Sequence, residues 1–272
     1  MREAVEREAR LALELDPDMA EPHAVLGAFY TAERRFADAS HAFERALAIE
    51  PDDAISHYWL ATHQMVVGYL KESSRHLDLS LTVDPLFPSA LIWRCYGYER
   101  EGRLELAEKY CRLAMDAGLP FGEMGLALLS HRRGETAQAI EQMGRGMVPL
   151  LAGYPEGSAQ VVAQGMFGDA DARARALDLI DAQLARQSDA DPGIITFPLM
   201  WMGRTDQAFS LVVHGQSNAS LWIYLWGPYG GEVRKSPAFL AFARRTGLVD
   251  YWDGREAPDL CPRNKEGAYV CE

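Results

Sequence analysis

Lysine is scarce in this sequence. Only Lys71, Lys109, Lys235 and Lys265 interrupt an otherwise arginine-based set of 27 basic residues, set against 39 acidic ones for a net charge of −12. A field of that sign repels phosphate backbones and excludes direct binding of nucleic acid by this chain. Long apolar runs are missing as well. The densest, Leu221 to Trp226, falls far short of the roughly 20 residues that a membrane helix needs, so no membrane partner is expected. The opening Met1-Arg2-Glu3-Ala4-Val5-Glu6-Arg7 alternates in charge, and no signal peptide is expected there. Cysteine is sparse and never closely paired: Cys95, Cys111, Cys261 and Cys271. That usage fits a reducing, cytoplasmic setting in which Cys95 and Cys111 are free, buried, small hydrophobes. Cys261 and Cys271 are expected to pair only in an exported protein.

Signatures of catalysis are also lacking. The chain contains no His-Glu-x-x-His, Gly-x-Ser-x-Gly, phosphate loop or Cys-x-x-Cys. Gly227-Pro228-Tyr229-Gly230-Gly231 has no following Lys-Ser/Thr and reads as a loop. The histidines His23, His41, His57, His63, His76, His131 and His214 are scattered. His57 and His63 fall on different helix faces, which does not suit a shared metal. His23 and His57, 34 residues apart, occupy equivalent places in successive repeats, so stacking at one face is open to them, but core or interhelix packing is the expected use. Acidic pairs such as Asp52-Asp53 and Asp169/Asp171 read as helix caps. No catalytic residue, cofactor or metal is therefore expected, and the chain is not expected to be an enzyme.

What the sequence does contain is repetition. Pro17, Pro51 and Pro85 stand 34 residues apart, each closing a similar phrase: Ala12-Leu13-Glu14-Leu15-Asp16, Ala46-Leu47-Ala48-Ile49-Glu50 and Ser80-Leu81-Thr82-Val83-Asp84. Proline cannot continue a helix and pushes the residue before it out of the helical region, so each phrase predicts a helix end. Between the prolines, Leu26, Phe29, Tyr30, Phe36, Ala39, Phe43, Ala46 and Leu47 recur at helical spacing. A second ladder, Gly68, Gly102, Gly134, Gly168 and Gly203, predicts turns of positive φ between paired helices. Ala107, Ala139 and Ala208, five residues after three of these glycines, leave room for close helix approach.

These phrases resemble the tetratricopeptide repeat, a helix–turn–helix unit of 34 residues. Residues 20–53 carry the fullest copy, with Leu26-Gly27, Tyr30, Ala39, Phe43, Ala46 and Pro51. The copy at 54–87 keeps Leu60, Ala61 and Pro85 but has Ser73 and Ser80 for the usual alanines, and 88–119 keeps Tyr98, Ala107 and Ala114. The resemblance implies an all-α, right-handed α-α superhelix over residues 1–216: a half repeat at 1–19, stronger repeats at 20–119 and degenerate ones at 120–216. Residues 2–15 read as the second helix of a repeat whose first is missing, so further chain is expected upstream.

In such a fold the first helix of each repeat lines a concave groove. The register places Tyr58, Thr62 and Met65, then Ile92, Tyr96, Glu99 and Arg100, then Met124, Leu128, His131 and Arg132 on that face, with Phe197, Met200 and Trp201 in a late unit. Methionine and aromatics suit an apolar peptide or helix, so the expected partner is a protein or peptide. The lysines and asparagines with which one subset of the family grips chaperone tails are replaced by Glu21, Ala24, Ala28, Tyr58, Trp59 and Thr62, which argues against that role.

Residues 217–272 break the period and are rich in aromatics; they are expected to cap the last repeat. Ser236-Pro237 predicts a helix start, and Gly247 its end. The phrase Ser236-Pro237-Ala238-Phe239, Gly247-Leu248-Val249-Asp250-Tyr251-Trp252, Pro258-Asp259-Leu260-Cys261 is similar to the ending of repeat regions in bacterial winged-helix transcription regulators and class III nucleotide cyclases. It implies an interaction or effector-sensing module acting on an upstream output domain. A free-standing scaffold or assembly adaptor, or the regulatory region of a cyclase-type enzyme, are the alternatives.

Overall fold

A computed structural model describes residues 2–186, 195–214 and 219–272; the expected repeat boundary near 216 and the His214 side chain lie outside what it describes. The described residues form helices α1 (Arg2–Leu15), α2 (Ala20–Ala32), α3 (Phe36–Ile49), α4 (Ala54–Val66), α5 (Leu70–Val83), α6 (Pro88–Arg100), α7 (Leu104–Asp116), α8 (Gly122–Arg132) and α9 (Thr136–Met147). There follow α10 (Ser158–Phe167), α11 (Ala170–Ala185), α12 (Thr196–Trp201), α13 (Thr205–His214), α14 (Ala219–Trp226), α15 (Gly231–Arg234), α16 (Pro237–Arg245) and α17 (Leu248–Asp253). Among them there is no strand, only one antiparallel bridge between Arg263 and Tyr269.

The punctuation acts as expected. The helices α3 and α5 end at Glu50 (φ −124°, ψ 86°) and Asp84 (φ −125°, ψ 92°), both pushed into extended backbone by the proline that follows. Asp53 caps α4 by accepting hydrogen bonds from the Ile55 and Ser56 amides, and Ser236 caps α16 through the Phe239 amide. Gly68, Gly102, Gly134 and Gly203 have φ between 75° and 89°. Gly168 departs from the ladder, with φ −89° and ψ −159°. The reason is local: Asp169 caps α11 through the Ala172 amide, which requires extended chain there. A Cβ on Gly168 would still meet the Gln164 carbonyl oxygen at 2.6 Å.

The chain forms two compact units, one of residues 1–90 with 231–272 and one of residues 91–230. In the first, α1 packs on α2, α2 on α3 and α4, and α4 on α5. Ala9, Leu26, Tyr30, Ala39, Ala42, Phe43 and Leu60 make one core cluster, so the half repeat α1 is joined to the fullest copy by shared burial. Gly27 is required by this packing, since a Cβ there would lie 2.6–2.8 Å from the Phe43 ring. In the second unit α7, α8, α9, α10 and α11 pack in succession, and α12 packs on α10, α13 and α14. Ala107, Ala139 and Ala208 are fully buried at the close approaches.

The expected cap divides. Helix α14 covers α12 at the end of the repeats, but residues 231–272 belong to the first unit, where α17 packs on α3. Hydrogen bonds explain the choice. The turn Val67–Lys71 leaves polar groups free at the end of α4 and the start of α5. Trp252 Nε1 donates to the Val67 carbonyl at 2.7 Å and the Asp259 amide donates to the Gly68 carbonyl at 3.1 Å. Asp259 Oδ2 in turn accepts from the Lys71 amide at 3.0 Å.

Cysteine pairing is also a correction. Cys95 bonds to Cys111 and Cys261 to Cys271, so no free thiol is present. The expected burial of Cys95 and Cys111 holds. The premise for a reducing compartment does not. No helix among the described residues is long and apolar enough to cross a membrane.

Candidate interaction site

The second unit gathers its polar and aromatic side chains at one end of its first-of-pair helices. Glu99, His131, Arg132, Phe167 and Trp201 all lie in the last turn of α6, α8, α10 or α12, just before the glycine that closes each. Because each repeat presents the same turn, residues about 34 positions apart become neighbours. The ring centroids of His131, Phe167 and Trp201 lie 5.0–5.2 Å from one another. Trp201 Nε1 donates to the Met166 carbonyl at 2.6 Å, which fixes the indole plane.

Beside these rings a carboxylate is buried. Glu99 is 3% exposed. Arg132 Nη1 donates to Glu99 Oε1 at 3.2 Å and to the Glu99 carbonyl at 2.9 Å. Burial pushes the Glu99 carboxyl above the usual carboxylate range, against the Arg132 guanidinium and the Tyr229 hydroxyl, which pull it down. The Tyr229 hydroxyl lies 3.3 Å from Glu99 Oε1 and 3.4 Å from the Leu128 carbonyl, its single proton shared between the two acceptors. Its ring stands 4.6 Å from Trp201 and 6.1 Å from His131. Tyr229 comes from the Gly-Pro-Tyr-Gly-Gly segment that reads as a plain loop; its only sequence signal is a large aromatic among three glycines.

Of the residues that the sequence places in a groove, Glu99, Leu128, His131, Arg132 and Trp201 are brought together here. Ile92, Tyr96, Met124 and Leu128 are buried, as are Phe197 and Met200. Arg100 is half-buried and Arg132 exposed. The first unit holds the others: Tyr58 packs on Trp59 and Phe87 at 5.2 and 5.0 Å, Thr62 Oγ1 donates to the Trp59 carbonyl, and Met65 is buried.

Two buried histidine networks in the first unit have the residue types of chemistry without its poise. Thr31 Oγ1 donates to the Gly27 carbonyl, so His63 Nδ1 must donate to Thr31 at 2.9 Å and His63 Nε2 must accept. Ser40 Oγ lies 3.1 Å from that nitrogen and 2.8 Å from the Tyr251 hydroxyl. Nucleophile and base are in reach, but burial, with Arg255 nearby, holds His63 down to about 3, too low for a general base near neutral pH. The group instead clasps α17 to α3 and α4.

The second network joins His57 to His76, at 2.9 Å between their Nδ1 atoms. His57 Nε2 meets the Pro51 carbonyl at 2.9 Å and therefore carries the proton. Its Nδ1 then accepts from His76, whose Nε2 accepts from Arg75 at 2.7 Å. His23 likewise bonds to the Pro17 backbone. His57 thus serves interhelix packing between α4 and α5 and closes the loop at Pro51, as His23 does at Pro17. Among the described residues no group of His, Cys, Asp and Glu is placed to hold a metal ion.

Successive antiparallel helix pairs, closed by glycine at a near-constant interval, define a helical-repeat scaffold. Solved structures specify which kind. PilF of Pseudomonas aeruginosa shares 17% identity and a TM-score of 0.53 over 69% of this chain and 86% of that one. PilW, a type IV pilus biogenesis factor, shares 19% and 0.52 over 67% and 85%. The APC/C hetero-tetramer Cut9–Hcn1 shares 14% and 0.54, covering 92% of this chain and half of that one. All are tetratricopeptide-repeat proteins, and the fold of this chain is the all-α, α-α superhelical one of that class. No protein-family model and no curated protein matches the sequence.

Proposed function

We propose that this chain is a non-catalytic protein-interaction module that takes a protein or peptide partner on the face of the second unit formed by the ends of α6, α8, α10 and α12. One observation carries the reading: the buried Glu99 carboxylate is paired with the partly solvated Arg132 guanidinium at the edge of an aromatic cluster. Burying the Glu99 carboxylate is costly, and its pairing with a guanidinium at the rim favours specificity over stability. Around it Arg100, Arg132 and His131 offer cationic and aromatic contacts at the surface, the mixture enriched at interface centres. Tyr58, Thr62 and Met65 belong to the same proposal as a corresponding face on the first unit.

The finer form of the reading, an effector-sensing module of a bacterial, cytoplasmic transcription regulator with an output domain, is supported by the C-terminal phrase alone. Tyr251, Trp252, Asp259 and Cys261 of that phrase are all engaged within the chain, to Ser40, the Val67 carbonyl, Lys71 and Cys271. These contacts fasten the C-terminal segment to the repeats of the first unit.

Charge reversal tests the site. Partner capture by the full chain should fall at least tenfold in Arg100→Glu/Arg132→Glu with helical content unchanged. Equal capture by both proteins would place the partner elsewhere.

A further inference from the structure

The first unit carries a cavity that the partner reading does not use. It measures about 550 Å³, within the range of small-molecule sites, and lies between α3, α4, α5 and α17 with the residues that follow it. Its walls are tied in place. The Tyr69 hydroxyl donates to the Glu256 carbonyl at 2.6 Å, and the Tyr251 hydroxyl lies 2.8 Å from Ser40 Oγ. Leu60 and the two tyrosine rings, whose centroids are 6.0 Å apart, give the cavity an apolar side.

Charges of both signs border this space without cancelling. Arg255 shares the lining with Glu44, Glu72 and Glu256, yet it forms an ion pair with none of them. Its guanidinium stands instead over the Tyr251 ring, 4.8 Å from the centroid. Glu72 is answered by Arg75 at 2.8 Å. Glu44 meets only the exposed His41, at 3.5 Å, and the Glu256 carboxylate has no partner among the described residues. Gln64 also lines the cavity, and its Oε1 accepts no hydrogen bond. Its terminal torsion is broad and two-fold, so a donor in the cavity can turn that acceptor to itself. One free guanidinium and two unanswered carboxylates, held apart around a space, are the complement of a molecule with one carboxylate and two cationic groups.

We propose that this cavity binds a free basic amino acid. Its carboxylate lies on Arg255, in the two-pronged geometry that guanidinium groups favour. Its two cationic groups lie toward Glu44 and Glu256, and its alkyl chain runs along Leu60 and the tyrosine rings. The inference goes beyond the partner reading and does not rest on it, since the cavity belongs to the first unit and the proposed face to the second.

The test is calorimetric titration of the full chain with L-arginine and L-lysine at low ionic strength, where exposed charges are least screened. Whichever binds is compared with its decarboxylated amine, agmatine or cadaverine, and with its analogue of uncharged side chain, citrulline or norleucine. Saturable one-to-one binding of the basic amino acid is expected, at least tenfold tighter than either comparison compound. Arg255→Gln should erase the preference over the decarboxylated amine, and Glu44→Gln/Glu256→Gln should weaken binding at least tenfold. All three residues are exposed, so the variants should keep the parent's helical content. Binding of neither amino acid, equal binding of amino acid and amine, or affinities unchanged in both variants would each overturn the proposal. The charge-reversal experiment at Arg100 and Arg132 is read separately, and neither result decides the other.

Discussion

Arg132 reaches back 33 residues to Glu99, donating at 3.2 Å to its carboxylate and at 2.9 Å to its main-chain carbonyl. One guanidinium thus answers both a buried charge and a helix-end carbonyl of the preceding repeat. The contact joins α6 to α8 at the rim of the aromatic cluster, where the repeat spacing brings the two last turns side by side.

Removing one member of that pair is costlier than neutralising the other. Arg132→Ala leaves the Glu99 carboxylate buried and unpaired, and should cost about 1–3 kcal/mol, less than for a wholly buried pair because Arg132 is partly solvated. Glu99→Gln keeps an acceptor for Arg132 and Tyr229 and should be neutral or mildly stabilising near pH 7. The sign follows from Glu99's raised pKa. The native state holds that proton to higher pH than the unfolded chain, so its contribution is present in acid and lost as pH rises through the native value. Denaturant melts of both variants across pH 4–8 check this.

The buried histidines act in the opposite direction. His63 is held down to about 3 and His76 to about 4, chiefly by burial. Between the ordinary value of 6.5 and those native values the unfolded chain binds more protons than the folded one. Stability should therefore fall as pH drops below 6.5, by up to ~1.4 kcal/mol per pH unit for each histidine. His76→Gln should flatten this limb when midpoints are followed from pH 7 to pH 4. An unchanged slope would mean that His76 is not neutral in the native state.

At Gly27 the cost is steric. An added Cβ meets the Phe43 ring at 2.6 Å, and the ring is fully buried in the core cluster of the first unit. Gly27→Ala should destabilise that unit by about 1–3 kcal/mol despite the better helix propensity of alanine, as overpacking does. A thermal melt at or above the parent value would show that Phe43 has room to move.

The clasp of the C-terminal segment is open to a similar check. Trp252→Phe keeps most of the apolar surface but strands the Val67 carbonyl, and Asp259→Ala strands the Lys71 amide. The first should cost about 1–3 kcal/mol, and the second, whose amide faces water, about 1 kcal/mol or less. Limited proteolysis should then release fragments beginning after residue 231. Resistance equal to the parent would mean that the turn finds other partners.

Much of this was legible in the residues themselves. Proline and glycine intervals gave helix ends to within a residue or two, because those residues act locally through φ and the missing amide. The same register put Glu99, His131 and Arg132 on one face. What it could not give was contact made across long separations. Tyr229 meets Glu99 130 residues away, and Tyr251 meets Ser40 across 211. His57 and His76 sit in different helices of one repeat, at a spacing no metal or catalytic motif uses. The cysteines misled for the same reason: Cys95 and Cys111 are 16 apart in sequence, yet antiparallel helices bring their Cα atoms to 5.2 Å.

Site-specific photocrosslinking reads whether the face around Glu99 and Arg132 takes a protein partner. Benzoylphenylalanine is placed at position 132 or, as a control, at position 112 on the exposed side of α7, and the full chain is irradiated in its host cells. A discrete crosslinked protein is expected at 132 and none at 112. Crosslinks at 112 alone, or the same product from both positions, would contradict it.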